Sequence, residues 1–449
     1  MQRNKAAIFF AFPCHSPTHH LFGSLGLFFS SMNSAGEQEP AGAMLSQAVS
    51  LSSQPSLPSL PSLGPRDTNV NPALHQCLAT LRAHSSSYVS SLAVDGDSLY
   101  IASSDGRIRV WPLDGASRRQ EEQQQGDASS GATVVAACDS SVKCLLAAGD
   151  GLLLSSHQDG KIRAWRAAAG GSSPPRLALR LRAVLPTCAD RLRAFLAPWS
   201  YVQVRRHRWR AWVQHADAAA ALAVSPDGAL LYSASWDRSL KAWRLPGFRC
   251  AESVAAAHDD AVNAVAVSPD GHVYTGSADK KIKAWRREHR PGRRRMSRHV
   301  LVQTMERHRS AVNALALGVD GNVLYSGACD RSIVVWERAV GDGGGGGRME
   351  ATGTLRGHKK AILCLAAAGD VVCSGSADRT VRVWRRGVGI TGYTCLAVLE
   401  GHGAPVKSLA LVYGRDQGGG GSALVCSGAL DGEVKIWSVL VPCLLETEQ

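Results

Sequence analysis

Between about Cys77 and Val439 the chain is a succession of apolar runs, four to seven residues long, whose positions alternate or are β-branched. AVNAVAV (261–267) and HVYTGS (272–277) are examples, separated by the turn SPDG (268–271), which also occurs at 225–228. A third run ends in Trp, as in KIKAW (281–285), and a further run such as CAESVAA (250–256) follows most tryptophans. Runs this short, punctuated by Gly, Asp and Pro, predict strands rather than helices.

The runs recur in a fixed unit. An Asp is followed six residues later by a Trp seven times: Asp105/Trp111, Asp159/Trp165, Asp237/Trp243, Asp279/Trp285, Asp330/Trp336, Asp378/Trp384 and Asp431/Trp437. His84, His215, His258, His308 and His358 precede their Asp by 20 to 22 residues, and His402 precedes Asp431 by 29. The second unit has no His there, only Cys138, Asp139 and Ser140. Four strands per unit and seven units predict an all-β, seven-bladed propeller over 77–440. A blade cannot bury both of its faces alone, so blades stack around an axis and leave few edges exposed. The Asp suits the turn between second and third strands. Its carboxylate can accept from the His, the His can bond a Ser or Thr of the second strand, and the Trp indole can complete the chain. These twenty His, Asp and Trp residues are therefore expected to be structural.

This pattern resembles the WD40 repeat family. YVSSLAV (88–94), SSHQDGKIRAW (155–165), YVQVRRHR (201–208), LYSASWDRSLKAWR (231–244) and HDDAVNAV (258–265), with the QPSLPSLPSL leader, look most similar to the plant JINGUBANG-type WD40 proteins. The resemblance implies a ring closed by an N-terminal strand, here Cys77–Leu81, completing the last blade. It implies a regulatory, non-catalytic scaffold that docks other proteins on its top face, a monomeric propeller within a larger complex. Two alternatives stand beside it. One is a substrate receptor of a cullin-type ubiquitin ligase, although none of the residues after the seven tryptophans is the Asp such receptors carry. The other is a nucleic-acid-associated factor using the arginine-rich segments; direct nucleic-acid binding is not expected, since no recognised binding motif accompanies them.

Composition narrows the picture. The 449 residues are 45% hydrophobic and 19% charged, enough to bury a core over most of the chain. No apolar stretch approaches the roughly 20 residues of a membrane helix, so no membrane association is expected. Of the twelve cysteines, Cys144, Cys364, Cys373, Cys395 and Cys426 sit singly in apolar runs and no C-x-x-C pair occurs. That placement predicts reduced thiols and a cytoplasmic and nuclear protein, with no metal and no cofactor. Residues 1–70 read as an unstructured Ser/Pro-rich leader, with SLSSQPSLPSLPSLGP at 50–65, and 441–449 as a tail. Residues 1–36 carry Arg3 and Lys5 and no acid, compatible with a targeting peptide or with a leader upstream of Met32 or Met44.

The remaining candidates are local. No repeat offers a hydroxyl or thiol that distinguishes it as a nucleophile, so no catalytic residue and no enzyme are expected. The insert 286–299 has seven Arg and one Glu. It reads either as a solvated loop between blades four and five or as a nuclear address centred on Arg293, Arg294 and Arg295. Arg205, Arg206, Arg208 and Arg210 flank Trp209 and read as an edge or return strand after a short helix near Asp190–Leu196. The glycine runs 343–347 and 418–421 read as flexible loop extensions. Trp236 is the one aromatic residue directly before a turn Asp, and with Asp259, Asp260, Lys359 and Lys360 it forms the candidate partner-binding set on the top face.

Overall fold

The computed structural model describes residues 7–10, 74–82, 87–113, 132–168, 178–196, 201–205, 208–211, 213–289, 297–339, 347–387, 392–415 and 421–442. Seven four-stranded antiparallel sheets account for most of them. Blade one runs from inner to outer strand as Val89–Asp95, Ser98–Ser103, Arg107–Pro112 and Thr133–Ala137. Blade two is Val142–Ala147, Leu152–His157, Ile162–Ala168 and Ala178–Leu185, and blade three is Ala219–Val224, Leu230–Ser235, Leu240–Arg244 and Arg249–Val254. Blade four is Val262–Val267, Val273–Ser277, Lys281–His289 and Ser297–Glu306. Blade five is Val312–Leu317, Val323–Ala328, Ile333–Arg338 and Met349–Leu355, and blade six is Ile362–Ala368, Val371–Ser376, Val381–Arg386 and Tyr393–Leu399.

Blade seven takes its strands from both ends of the propeller sequence. Val406–Arg415, Gly421–Ala429 and Glu433–Val441 are joined on the outside by His75–Arg82, with Cys77 opposite Trp437 and Leu81 opposite Val434. The closing strand thus lies where Cys77–Leu81 predicts it. Inner strands of successive blades pack against one another around the ring, and that of blade seven packs against that of blade one.

The core lies between blades, where the alternating apolar positions of one sheet meet those of the next. The approach is close enough to demand glycine in places. A Cβ on Gly327 would lie 2.5 Å from Ile362 of blade six, and one on Gly428 would lie 2.5 Å from Val89 of blade one. Polar groups tie the same seams: the Ser91 hydroxyl accepts the Leu145 amide at 2.7 Å, and the Ser408 hydroxyl accepts the Leu92 amide at 2.8 Å.

Each inner strand skips one residue in its pairing with the second strand, always at the same place. The skipped residues are Ser90, Lys143, Ala220, Asn263, Asn313, Leu363 and Lys407. A bulge re-aims its side chain. Asn263 and Asn313 accordingly donate to Val312 and Ile362 carbonyls on the next inner strand, at 3.0 and 2.8 Å.

Three segments depart from the expectations. The basic insert is not a loop between blades four and five: Lys281–His289 and Ser297–Glu306 remain paired out to His289 opposite Ser297, so it extends a hairpin within blade four. Backbone pairing continues there because nothing in the flanking sequence breaks the strands. The basic cluster near Trp209 is not a blade strand either. Tyr201–Arg205 pairs with Arg208–Ala211 as a separate two-stranded hairpin. The helix before it, Cys188–Leu196, is capped by Thr187, whose hydroxyl accepts the Asp190 amide at 3.2 Å. Finally, Ala7–Phe10, within the stretch read as leader, pairs antiparallel with Cys364–Ala367 on the inner strand of blade six. His84, Arg206, Arg293, Arg294, Arg295, the tail from 443 and most of both glycine runs lie outside the described residues. Among the described residues no helix is long and apolar enough to cross a membrane.

Candidate functional site

Each repeat Asp first makes its own turn. One carboxylate oxygen accepts the amide two residues on, in all seven blades: Arg107, Lys161, Ser239, Lys281, Ser332, Thr380 and Glu433, at 2.9 to 3.1 Å. The residue between is left-handed each time, Gly in blades one, two and seven and Arg or Lys in the others. Asp tolerates this role because its short side chain reaches the backbone it must cap.

The other oxygen meets the histidine. His215, His258, His308 and His358 place Nδ1 at 3.2, 2.8, 3.0 and 2.9 Å from Asp237, Asp279, Asp330 and Asp378. Their Nε2 atoms lie 2.7 to 2.8 Å from Ser233, Thr275, Ser326 and Ser374, which also accept the indole N–H of Trp243, Trp285, Trp336 and Trp384 at 2.8 to 2.9 Å. Burial works against the Asp237 charge, but His215 and the Ser239 hydroxyl outweigh it and hold its pKa below the carboxylate range. Burial lowers the pKa of His215 and His358, favouring neutral rings.

Blade seven keeps the Ser427 bonds to His402 (2.7 Å) and Trp437 (2.9 Å), but Asp431 stands 3.8 Å from His402. Blades one and two depart further. In blade one Ile101 stands in register where other blades have Ser or Thr. Arg109 bonds Ser103 at 2.9 Å and Asp105 at 3.2 Å, beneath a buried Trp111. In blade two His157, from the second strand itself, lies 2.8 Å from Ser155, which accepts Trp165 at 2.8 Å, while Arg163 takes Asp159 at 3.2 Å.

In blades three to seven the His loop and the Asp turn lie at the same end of the blade. The amides of Asp259 and Lys359 donate to Asp279 and Asp378, at 3.1 and 2.9 Å. On this top face Asp259, Asp260, Lys359 and Lys360 are exposed. Trp236 is half-buried, with the Lys143 ammonium 5.5 Å from its ring centroid. The structure thus brings Trp236 next to blade two's bulged lysine, a neighbour the spacing did not reveal.

Elsewhere, His402, Asp431 and Glu433 could present ligand atoms to a metal within 4.8 Å of one another. Glu433 is already met by Arg82 at 3.1 Å and Lys435 at 3.4 Å, which answers its charge. Between blades three and four a cavity of about 410 Å³ borders His299, whose ring bridges Glu252 (2.7 Å) and Tyr232 (3.0 Å). Cys144, Cys364, Cys373 and Cys426 are buried free thiols whose pKa burial raises, and Cys395 is half-buried.

Seven blades, each pinned by an Asp-capped turn and mostly by a His–hydroxyl–Trp chain, define a β-propeller of repeat type. The family model for the WD domain, G-beta repeat, matches residues 75–112, 209–244, 251–286, 299–337, 349–385 and 393–438, more than half the chain. The chain belongs to the WD40 repeat family. The first match begins on the closing strand and ends with blade one's third, so the repeat is offset from the blade. Blade two falls between matches. Among solved structures the chain is similar to the WD40 β-propeller domain of Doa1, at 21% identity over 81% of this chain and 96% of that one, with a TM-score of 0.53. That likeness concerns the fold.

Proposed function

We propose that the protein is a non-catalytic, regulatory docking scaffold whose partners are other proteins bound on the top face. The observation that carries this is the use made of the His–Asp pairs. In blades three to six each imidazole spends both nitrogens inside its blade, and the hydroxyl it touches also accepts a Trp indole. Such a hydroxyl is held in the blade rather than offered to a substrate. What faces outward is a half-buried indole amid exposed carboxylates and ammonium groups, an apolar anchor with a polar rim. The basic run extends the proposal to a protein divided between cytoplasm and nucleus, with the Arg293–Arg295 stretch as its nuclear address.

Affinity purification with the full chain, with and without nuclease, identifies the partners. Trp236→Ala should weaken capture by about 2 kcal/mol, the scale of a truncated hot spot, with the melting temperature kept. Full capture by a stably folded variant would remove Trp236 from the interface. Loss of the fold, as expected of Asp237→Ala, would make the indole core. Copurifying ligase subunits would favour the substrate-receptor reading.

A further inference from the structure

We infer that the helix Cys188–Leu196 forms a second docking surface, on the outer rim of the propeller, for an amphipathic helix of a partner protein whose apolar stripe is bordered by carboxylates. It is separate from the top face and stands whether or not Trp236 binds a partner.

The helix is turned inside out. A surface helix ordinarily lays its apolar stripe on the core and its charges in water. Here Asp190 is the buried residue, 5% exposed, its carboxylate accepting the Thr187 hydroxyl at 3.0 Å and the Cys250 amide, on the outer strand of blade three, at 3.4 Å. The strand leading into the helix is held to the same blade, with the Arg182 guanidinium 5.8 Å from the Phe248 ring centroid. Leu192 and Leu196 face water instead, 60% and 72% exposed. Residues four apart share a helix face, so the two leucines form one stripe. At about 100° per residue, Arg191 and Arg193 flank Leu192 on either side. Both arginines are exposed. The result is an apolar seam with a cation on each border, one half of a helix pair of the kind whose flanking charges choose the partner.

Charge specifies the other half. Residues 176–211 hold nine Arg and a single acid, Asp190, which is turned inward. The helix lies beside the strand Arg208–Ala211, so the basic hairpin adjoins the seam. A nucleic acid would answer the arginines and leave both leucines in water. A helix with Leu along one face and Glu on its borders answers both.

The test is fluorescence anisotropy with the full chain and a labelled helical peptide of about 20 residues, long enough to hold its helix, with a Leu stripe bordered by Glu. The same stripe bordered by Lys is the control, and salt is kept at about 0.15 M to limit non-specific attraction. The acidic peptide should bind and the basic one should not. The double variant Leu192→Ser, Leu196→Ser should lose tenfold or more in affinity. The double variant Arg191→Glu, Arg193→Glu should lose the acidic peptide and gain the basic one. All four side chains are exposed, so both variants should keep the melting temperature. Trp236→Ala should bind the acidic peptide as the parent does. No binding of the acidic peptide, equal binding of both peptides, or undiminished binding by the leucine variant would overturn the inference. So would a loss in Trp236→Ala equal to that in the leucine variant, which would move the peptide to the top face. Preferential binding of a DNA duplex, or of phosphatidylserine vesicles with the same leucine dependence, would overturn it as well.

Discussion

His157 Nε2 lies 2.8 Å from the Ser155 hydroxyl two residues before it on the same strand, and the pair does for blade two what a loop histidine does elsewhere. Successive strand residues point to opposite faces, so residues two apart share one, and His157 reaches the serine that also accepts Trp165. Its other nitrogen meets the Ser140 carbonyl at 3.0 Å rather than Asp159. The hydroxyl–Trp bond survives with its histidine recruited from another place, while the Asp, released from that role, pairs with Arg163 and Lys161.

His157→Ala should therefore cost about 1–3 kcal/mol, because it strips a partner from buried polar groups. Urea unfolding of His157→Ala and His258→Ala should give similar losses. A neutral His157→Ala would show that the substitute histidine carries no weight.

Asp279→Ala should be the more damaging of two matched changes. It removes the turn bond to Lys281, the His258 acceptor at 2.8 Å and the Asp259 amide bond, for about 1–3 kcal/mol. Asp159→Ala removes a like turn bond and partly exposed pairs to Arg163 and Lys161, each worth up to about 1 kcal/mol. Equal shifts in melting temperature would contradict this ordering.

Gly428→Ala should loosen the seam between blades seven and one, where the added Cβ would meet Val89 at 2.5 Å. Overpacking of this kind typically costs about 1–3 kcal/mol. Val89→Ala should recover part of that loss in the double variant, and a strictly additive pair would mean that the contact is relieved elsewhere.

Acid should weaken the fold before the carboxylates titrate. Burial and then the Arg163 guanidinium lower His157 to about 4, and burial lowers His215 and His358. The unfolded chain binds these protons more readily, so their contribution is complete above about pH 6.5 and is lost as the pH falls below it, for His157 towards about 4. For His157 alone the linkage is on the order of 3 kcal/mol. Denaturant midpoints measured from pH 7 to pH 4 should fall, less steeply in His157→Ala; flat midpoints would mean that the rings are already charged at neutral pH.

The local rules of this fold were legible in the chain. Seven Asp–Trp spacings of six residues, alternating runs and SPDG turns report strand length, turn type and blade number, because those depend on neighbours in sequence. The closing strand Cys77–Leu81 was expected through the WD40 resemblance rather than from the repeat itself, and it pairs where that resemblance places it. His157 carried a signal in its two-residue spacing from Ser155, and Arg109 and Arg163 carried one in standing four residues after their Asp, but each breaks the repeat and is visible only against the blades that keep it.

Tertiary structure decided what the repeat leaves free. Position two of the inner strand holds Ser, Lys, Ala, Asn, Asn, Leu and Lys in blades one to seven, a set without pattern in the sequence that only the folded sheets show to be the bulged position of each blade. Lys143 and Lys407 are 264 residues apart in sequence, and closing the ring brings their charges within reach of one another. The same closure sets Lys143 against Trp236 and gives Ala7–Phe10 an inner edge to join. A blade is specified by contacts within about forty residues, which periodicity records, whereas the channel exists only once seven blades share an axis.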